Sequence, residues 1–449
     1  MSDVRVRFAP SPTGMLHPGG ARTALFNYLF ARFHGGEIVL RIEDTDLARS
    51  EKRFEKTLFD DLEWLGIPFD GEPTRQSERG EVYEKYLERL GDAGFTYEAT
   101  DEDGRYALYF RPPERSGVFR DVLRGEVSFA KVPDFVVRKS DGTPLYNFAA
   151  AVDDVEMGIT HVIRGEEHLS NTARQTLIHR ALDAERGGDA ARHASASSDE
   201  RISSPEFIHL GVILGPDGKK LSKRHGAASI EEFRREGYLP EAVINHLALL
   251  GWSHPEGKEF FASLGELADE WTPERIGASP STFDPERFLG LNAEHIRFLD
   301  ADEISERMAP FLDKPLPEGR ETVAIEAMRE DMRTLSDAPE ALRGIVGEVE
   351  PDSFAADISE PPSAEVFSHA AERLETIEDF DLDGAREFVK ELRGWKKEND
   401  IKTRDLLHPL RLALTGRNRG PEMGYLFAVL GAEESRLRIA AAREAILRP

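Results

Sequence analysis

Residues 1–42 commit the chain to a parallel sheet. Residues 4–9 alternate as a short strand, and residues 10–20 form a loop rich in proline and glycine. Over 21–33, Ala24, Leu25, Tyr28, Leu29 and Phe33 recur at helical spacing, and Gly35-Gly36 closes the helix. Residues 37–42 then read as a buried strand. A helix long enough to return the chain between two strands makes those strands parallel neighbours. An α/β, Rossmann-like parallel-sheet domain is therefore expected. Amphipathic helices are predicted over 58–65 and 82–90, buried strands over 135–138 and 159–164, and a helix over 172–182. Residues 97–133 carry strand-like pieces such as 106–110 and read as an insertion between two halves of the sheet. Residues 184–204, rich in Gly, Ala and Ser, read as a surface loop without fixed structure. From about 229 onward the pattern is almost entirely helical, with acidic Pro-containing linkers near 314–321 and 350–363.

At 449 residues the chain exceeds one ordinary core, and two to four domains are expected. No apolar run approaches the roughly 18 residues needed to span a bilayer, and the N-terminus lacks a signal-like apolar core. With no cysteine, disulfides and thiolate metal sites are excluded, and the cytoplasm is the expected compartment. A net charge of −26 argues against sequence-blind coating of nucleic acid, while leaving room for a local basic stripe. Residues 386–419 are such a stripe, with ten Lys/Arg against five Asp/Glu. Trp395, beside Lys396 and Lys397, could stack on a base there.

Three stretches carry chemistry. In Pro10-Ser11-Pro12-Thr13-Gly14 the prolines stop the strand and feed a helix N-terminus, where free N–H groups attract anions. Gly19 and Gly20 leave room for a base or phosphate against the backbone, and His17 can donate to a phosphate oxygen. Glu43 closes the second strand, where ligands of open parallel sheets bind, and suits a substrate ammonium; Asp44 and Asp46 fit an acidic turn or cap. Lys220-Leu221-Ser222-Lys223-Arg224 follows a Gly-Pro-Asp-Gly turn and offers lysines to phosphates.

Taken together, 9–20 with its His17-x-Gly-Gly, Ala21 to Asn27, Arg41-Ile42-Glu43-Asp44-Thr45-Asp46 and Lys220 to Arg224 resemble the bacterial-type glutamyl-tRNA synthetases. These are class I aminoacyl-tRNA synthetases with HIGH-type and KMSKS-type signatures. Further matches lie in 140–148, 152–154, 163–168, 239–242, 251–253 and 408–416, so the resemblance covers essentially the whole chain. It implies ATP-dependent attachment of L-glutamate to tRNA(Glu) through glutamyl-adenylate. It also implies a glutamate pocket of Arg7, Ala9, Ser11, Glu43, Tyr146 and Arg164. ATP would lie over His17, Gly19 and Gly20, with Glu167, Lys220 and Lys223 as further contacts and Mg²⁺ on the phosphates. His17, Lys220 and Lys223 would assist the chemistry, and the protein would act as a monomer.

The segments implied are a catalytic domain in two halves (1–96 and 134–228), a shortened acceptor-arm insertion (97–133), a helical stem-contact domain (229–315) and a helical anticodon-binding region (316–449). The insertion departs from many relatives in having no cysteine, so no zinc is expected there. Ala150 stands where some relatives place a polar substrate contact, and 184–204 adds no recognisable chemistry. Whether tRNA(Gln) is also charged is open, and a catalytically dead tRNA-binding paralogue is the reading from another class. Retention of Arg7, His17, Glu43, Arg164 and Lys223 argues against the latter.

Overall fold

The computed structural model describes residues 4–46, 50–100, 104–187, 204–222, 229–358, 362–378 and 381–448. Its contacts divide the chain into two compact units, residues 1–234 with 240–288, and residues 235–239 with 289–449. No helix among the described residues is long and apolar enough to cross a membrane.

The first unit opens as strand β1 (Arg5–Phe8), helix α1 (Pro18–His34) and strand β2 (Glu37–Ile42), with β1 and β2 parallel from Arg5↔Glu37 to Phe8↔Leu40. Helix α1 starts three residues before the apolar periodicity does. Pro18 takes a first-turn position, where its missing N–H costs nothing, and His17 caps the helix by accepting from the Gly20 N–H. Gly35 ends the helix in the left-handed region (φ 62°). Gly36 then passes so close to β1 that a Cβ there would sit 2.2 Å from the Val4 carbonyl oxygen. Helix α2 (Lys52–Trp64), strand β3 (Thr74–Arg75), parallel to β2, and helix α3 (Gly80–Asp92) follow.

The insertion holds strands β4 (Thr96–Thr100), β5 (Tyr106–Phe110), β6 (Gly117–Asp121) and β7 (Gly125–Phe129), followed by β8 (Phe135–Arg138). Here the structure corrects the sequence reading. β8 does not resume the parallel sheet; it pairs antiparallel with β5, which pairs antiparallel with β4. Aromatic contacts favour that partner: the Phe110 and Phe135 rings lie 5.3 Å apart, and the Tyr97 hydroxyl donates to Asp134 at 2.9 Å. The β6–β7 hairpin instead joins the main sheet, with β6 alongside the later strand β10 and Val122 N–H donating to the Phe207 carbonyl. The insertion is thus stitched into the catalytic sheet.

The unit continues through α4 (Tyr146–Glu156), β9 (His161–Gly165), α5 (Leu169–Gly187), β10 (Glu206–Leu210), β11 (Ile213–Leu214), α6 (Ile230–Arg235), α7 (Pro240–Leu249), α8 (Leu264–Glu270) and β12 (Ser281–Thr282); helix α9 (Pro285–Phe298) begins in it and passes into the second unit at Leu289. β9 and β10 are parallel, and Thr160 N–H donates to the Arg5 carbonyl, which sets the start of β9 beside β1. From that seam β2 and β3 extend to one side and β10 and β6 to the other. Strand order therefore reverses between β1 and β9, the place where open α/β sheets leave a crevice for ligands. A core of Tyr83, Tyr86, Phe110, Val137, Phe148 and Leu177 binds α3, α4 and α5 to the insertion sheet. Helix α5 runs on to Gly187, so the first residues of the loop expected at 184–204 are helical, and 188–203 lie outside the described residues.

The second unit is helical: α10 (Ala301–Met308), α11 (Glu321–Met328), α12 (Ala338–Val346), α13 (Ser363–Leu374), α14 (Leu382–Glu398), α15 (Thr403–Thr415) and α16 (Met423–Leu447). α16 is apolar on several sides because α13, α14 and α15 all pack on it, and it kinks at Gly431, whose φ is 78°. Trp395 stacks one face on His369, centroids 4.2 Å apart and planes within 9°. The two contact units divide at Arg234/Arg235, Leu239/Pro240 and Phe288/Leu289.

Candidate active site

The crevice at the β1/β9 reversal is a cleft of about 570 Å³. The loop after β1 and the first turn of α1 form one wall, the turn after β9 another, and the segment after β11 a third. The cleft brings together Arg7, Ala9, Ser11, His17, Gly19, Gly20, Glu43, Tyr146, Arg164, Glu167 and Lys220. Each of these was singled out in the sequence, and they span more than 200 residues of chain. Lys223 and Arg224 lie outside the described residues. Ala150 is buried on α4 and does not line the cleft.

The floor is a chain of buried charges. Arg7 Nε donates to Asp154 Oδ1 at 3.1 Å, and Arg41 Nη1 donates to the same oxygen at 2.7 Å. Arg41 Nη2 also reaches Glu43 Oε1 at 3.1 Å. Asp153 takes Gln76, Tyr83 and Arg79 on its two oxygens. Arg41 and Asp154 lie in matched motifs that give them no role; their part is to fix Arg7 and Glu43, and only the tertiary pairing reveals it. Burial alone would raise the Asp154 pKa, but the Arg7 and Arg41 guanidiniums outweigh it and hold it well below the usual range. Burial dominates at Glu43 and pushes its pKa up against the opposing pull of Arg41 and Arg7. It does the same to the Tyr146 hydroxyl, with Glu43 adding to the rise.

Arg164 differs. It is 5% exposed, and Nη2 donates to Thr172 Oγ1 at 2.6 Å and Gln175 Oε1 at 2.8 Å, both neutral acceptors. Its Nε and Nη1 are buried without partners. Burial lowers its pKa, although Arg164 remains a cation at any ordinary pH. Of the buried arginines, Arg7 and Arg41 pair with Asp154, and Arg41 also with Glu43 and Asp153; the partly exposed Arg79 pairs with Asp153 as well. Arg164 meets no carboxylate among the described residues, so it is a buried cation that favours an anionic group on a ligand.

At the other end, His17 Nδ1 accepts from Gly20 N–H at 3.0 Å, so the neutral ring carries its proton on Nε2. Burial, then nearby Lys220, lowers the His17 pKa, which keeps the ring neutral and a donor. A Cβ on Gly19 would lie 3.1 Å from the His17 ring, so that glycine also preserves the cap. Lys220 pairs with Glu167 at 3.5 Å. Arg22 bonds the carbonyls of Gly211 and Leu250, and Asn27 bonds that of Ile163 at 3.1 Å, locking α1 to the opposite wall. Among the described residues no group of three or more His, Asp or Glu side chains could hold a metal ion.

Comparison with known proteins identifies the family. Residues 3–108 and 96–288 match the family described as tRNA synthetases class I (E and Q), catalytic domain, and residues 301–443 match an anticodon binding domain. Glutamate–tRNA ligase 1 of Rubrobacter xylanophilus is 57% identical over 447 residues, 99% of each chain. Glutamate–tRNA ligase 1 of Fervidobacterium nodosum is 40% identical, over 97% of this chain and 98% of its own. The crystal structure of a glutamate tRNA ligase from Elizabethkingia meningosepticum, in complex with its amino acid, superposes with a TM-score of 0.84 at 29% identity, over 98% of this chain and 99% of that one.

Proposed function

Because the chain belongs to the class I tRNA synthetases of the glutamate and glutamine group, we propose that it attaches L-glutamate to tRNA(Glu) in two ATP-driven steps. The observation that carries the choice of amino acid is the uncompensated charge at Arg164. Glutamate, with two carboxylates and one ammonium, supplies a carboxylate for that buried cation. Glutamine offers an amide in its place and leaves a buried cation unpaired, a difference worth several kcal/mol in a dry site.

In this reading Arg7 and Arg164 take carboxylate, Glu43 takes the ammonium, and Ala9, Ser11 and Tyr146 complete the pocket. ATP lies along the first turn of α1, over Gly19 and Gly20, with Glu167 as a further contact. The α-carboxylate of glutamate attacks the α-phosphorus, the bond to the β-phosphate breaks, and glutamyl-adenylate and pyrophosphate form. His17, through Nε2–H, and the Lys220 and Lys223 ammoniums offset charge growing on the phosphates. The terminal ribose 2′-hydroxyl of tRNA then attacks the acyl carbon and AMP leaves; the class I reading assigns that hydroxyl. With no metal cage among the described residues, Mg²⁺ would arrive on the nucleotide's own phosphates. The helical second unit, with its basic stripe at 386–419, serves as the anticodon-binding part.

ATP–pyrophosphate exchange and charging, each with glutamate and with glutamine, with and without tRNA, test the proposal. Glutamate-dependent exchange and charging of tRNA(Glu) are expected; the absence of both under every condition overturns it. Glu43 adds a pH signature. Its ammonium-binding form is the carboxylate, and its pKa is raised. Glutamate affinity should therefore weaken about tenfold per pH unit as pH falls below that raised value. Titration calorimetry should show this above the range where glutamate's own carboxylates protonate. Glu43→Gln should bind more weakly with a flat profile.

A further inference from the structure

Arg164 is held from behind by a line of buried groups that ends in the insertion, and no motif of the sequence marks it. Asp121, at the end of β6, accepts at Oδ2 from both the His209 backbone N–H at 3.1 Å and the His209 ring Nδ1 at 2.7 Å. Its Oδ1 accepts from the backbone N–H groups of Leu123 and Arg124, both at 2.9 Å. Both carboxylate oxygens are thus committed as acceptors. His209 Nε2 lies 2.8 Å from Thr172 Oγ1, the atom that accepts from Arg164 Nη2 at 2.6 Å. Asp121, His209 and Thr172 are each at most 1% exposed.

We propose that Asp121, His209 and Thr172 are positioning residues for Arg164, forming a proton-ordered line that sets the specificity of the glutamate pocket from the β6–β7 hairpin. This inference rests on the glutamate reading given above.

The order of the protons follows from donor inventory. Asp121, ionised, offers only acceptors, so His209 Nδ1 carries a hydrogen. Burial lowers the His209 pKa, which keeps the ring neutral and makes Nε2 an acceptor. The Thr172 hydroxyl has two acceptors in reach, His209 Nε2 at 2.8 Å and the His168 carbonyl at 3.2 Å; donation to the nearer Nε2, which as an acceptor needs a donor, leaves its lone pairs for Arg164. Gln175 takes the second Nη2 hydrogen at 2.8 Å. Nη2 is thereby used up, and Nε and Nη1 are the nitrogens left for a ligand. A rotated guanidinium would lose both neutral acceptors. The same hairpin also reaches the nucleotide end: Arg124 bonds the His209 carbonyl and pairs with Glu166 at 2.7 Å, next to Glu167.

The test is a set of variants assayed by ATP–pyrophosphate exchange, with folding followed by thermal melting. Thr172→Val keeps the shape and removes the acceptor; it should raise the KM for glutamate about 10- to 100-fold while leaving kcat and the KM for ATP near wild type. Thr172→Ser should restore the KM. Asp121→Asn should raise the same KM, and the Asp121→Asn/Thr172→Val pair should be no worse than Thr172→Val alone, because both act through one line. In ¹⁵N NMR spectra, His209 should be the Nδ1–H tautomer in the wild type and lose that signature in Asp121→Asn. An unchanged glutamate KM in a folded Thr172→Val overturns the proposal, as does an equal rise in both KM values, multiplying effects in the double variant, or an Nε2–H tautomer in the wild type. If Asp121→Asn fails to fold, the Thr172→Val and Thr172→Ser pair decides. Wild-type protein without glutamate-dependent exchange would overturn the glutamate reading instead, and the tautomer measurement separates the two failures.

Discussion

Replacing Arg164 with methionine should lower kcat/KM for glutamate by about 10³-fold while leaving the KM for ATP near wild type. Methionine fills similar volume, so the loss isolates charge and hydrogen bonding. The informative quantity is the ratio between substrates. With Arg164 present the pocket holds a buried guanidinium that no carboxylate meets among the described residues, and with methionine that cation is gone. Glutamate then brings an unpaired negative charge, and glutamine no longer leaves a cation stranded. The glutamate-to-glutamine preference in exchange should therefore collapse, whereas a purely structural Arg164 would weaken both substrates equally. Stability should move the other way from a usual core lesion. Arg164 is a buried cation that, among the described residues, forms no ion pair, so its removal should leave the melting temperature unchanged or higher.

Much of this site was legible because its residues are local signals at strand ends. A strand stopped by Pro10 and Pro12, followed by a helix, places Arg7 through Gly20 at one crevice wall by geometry alone. Glu43 follows from the same rule at the end of β2. The apolar periodicity starts α1 three residues late because its cap is His17, not Ser, Thr, Asp or Asn; Pro18 is the sign the sequence offers. What sequence could not deliver is pairing over distance. β8 has the apolar run of a parallel strand, yet its partner β5 is antiparallel, because facing aromatics rather than periodicity decide the match. β10 follows residues with no periodic pattern, and β6 enters the main sheet beside it through a single residue pair. The groups behind the site share this origin. Asp154 is 147 residues from Arg7, and Asp121 is 88 from His209, so nothing in either neighbourhood announces the contact.

The same distance makes Asp154 the residue whose loss should damage folding most. Asp154→Asn keeps the shape but leaves Arg7 and Arg41, which share Oδ1, facing a neutral amide in a buried site. Breaking such a cluster from one side costs about 3–5 kcal/mol, or on the order of 10 °C in the melting temperature of the first unit. Activity should fall too, since Arg7 loses its anchor. The pH dependence gives the sign. Burial raises the Asp154 pKa, the two arginines more than reverse this, and the folded value ends below the unfolded one. Its contribution is thus fully present above the ordinary carboxylate range and is lost only as pH falls through the depressed folded value. Wild type and Asp154→Asn should therefore differ by a constant amount near neutrality and converge in acid. Removing a cation along with the anion tests the cause. Asp154→Asn combined with Arg41→Gln should recover part of the stability, because one stranded charge has gone with its partner, while glutamate binding stays poor for want of the group that holds Glu43. If the double variant were less stable by the sum of the two losses, the cluster would be a set of independent bonds and not a balanced charge network.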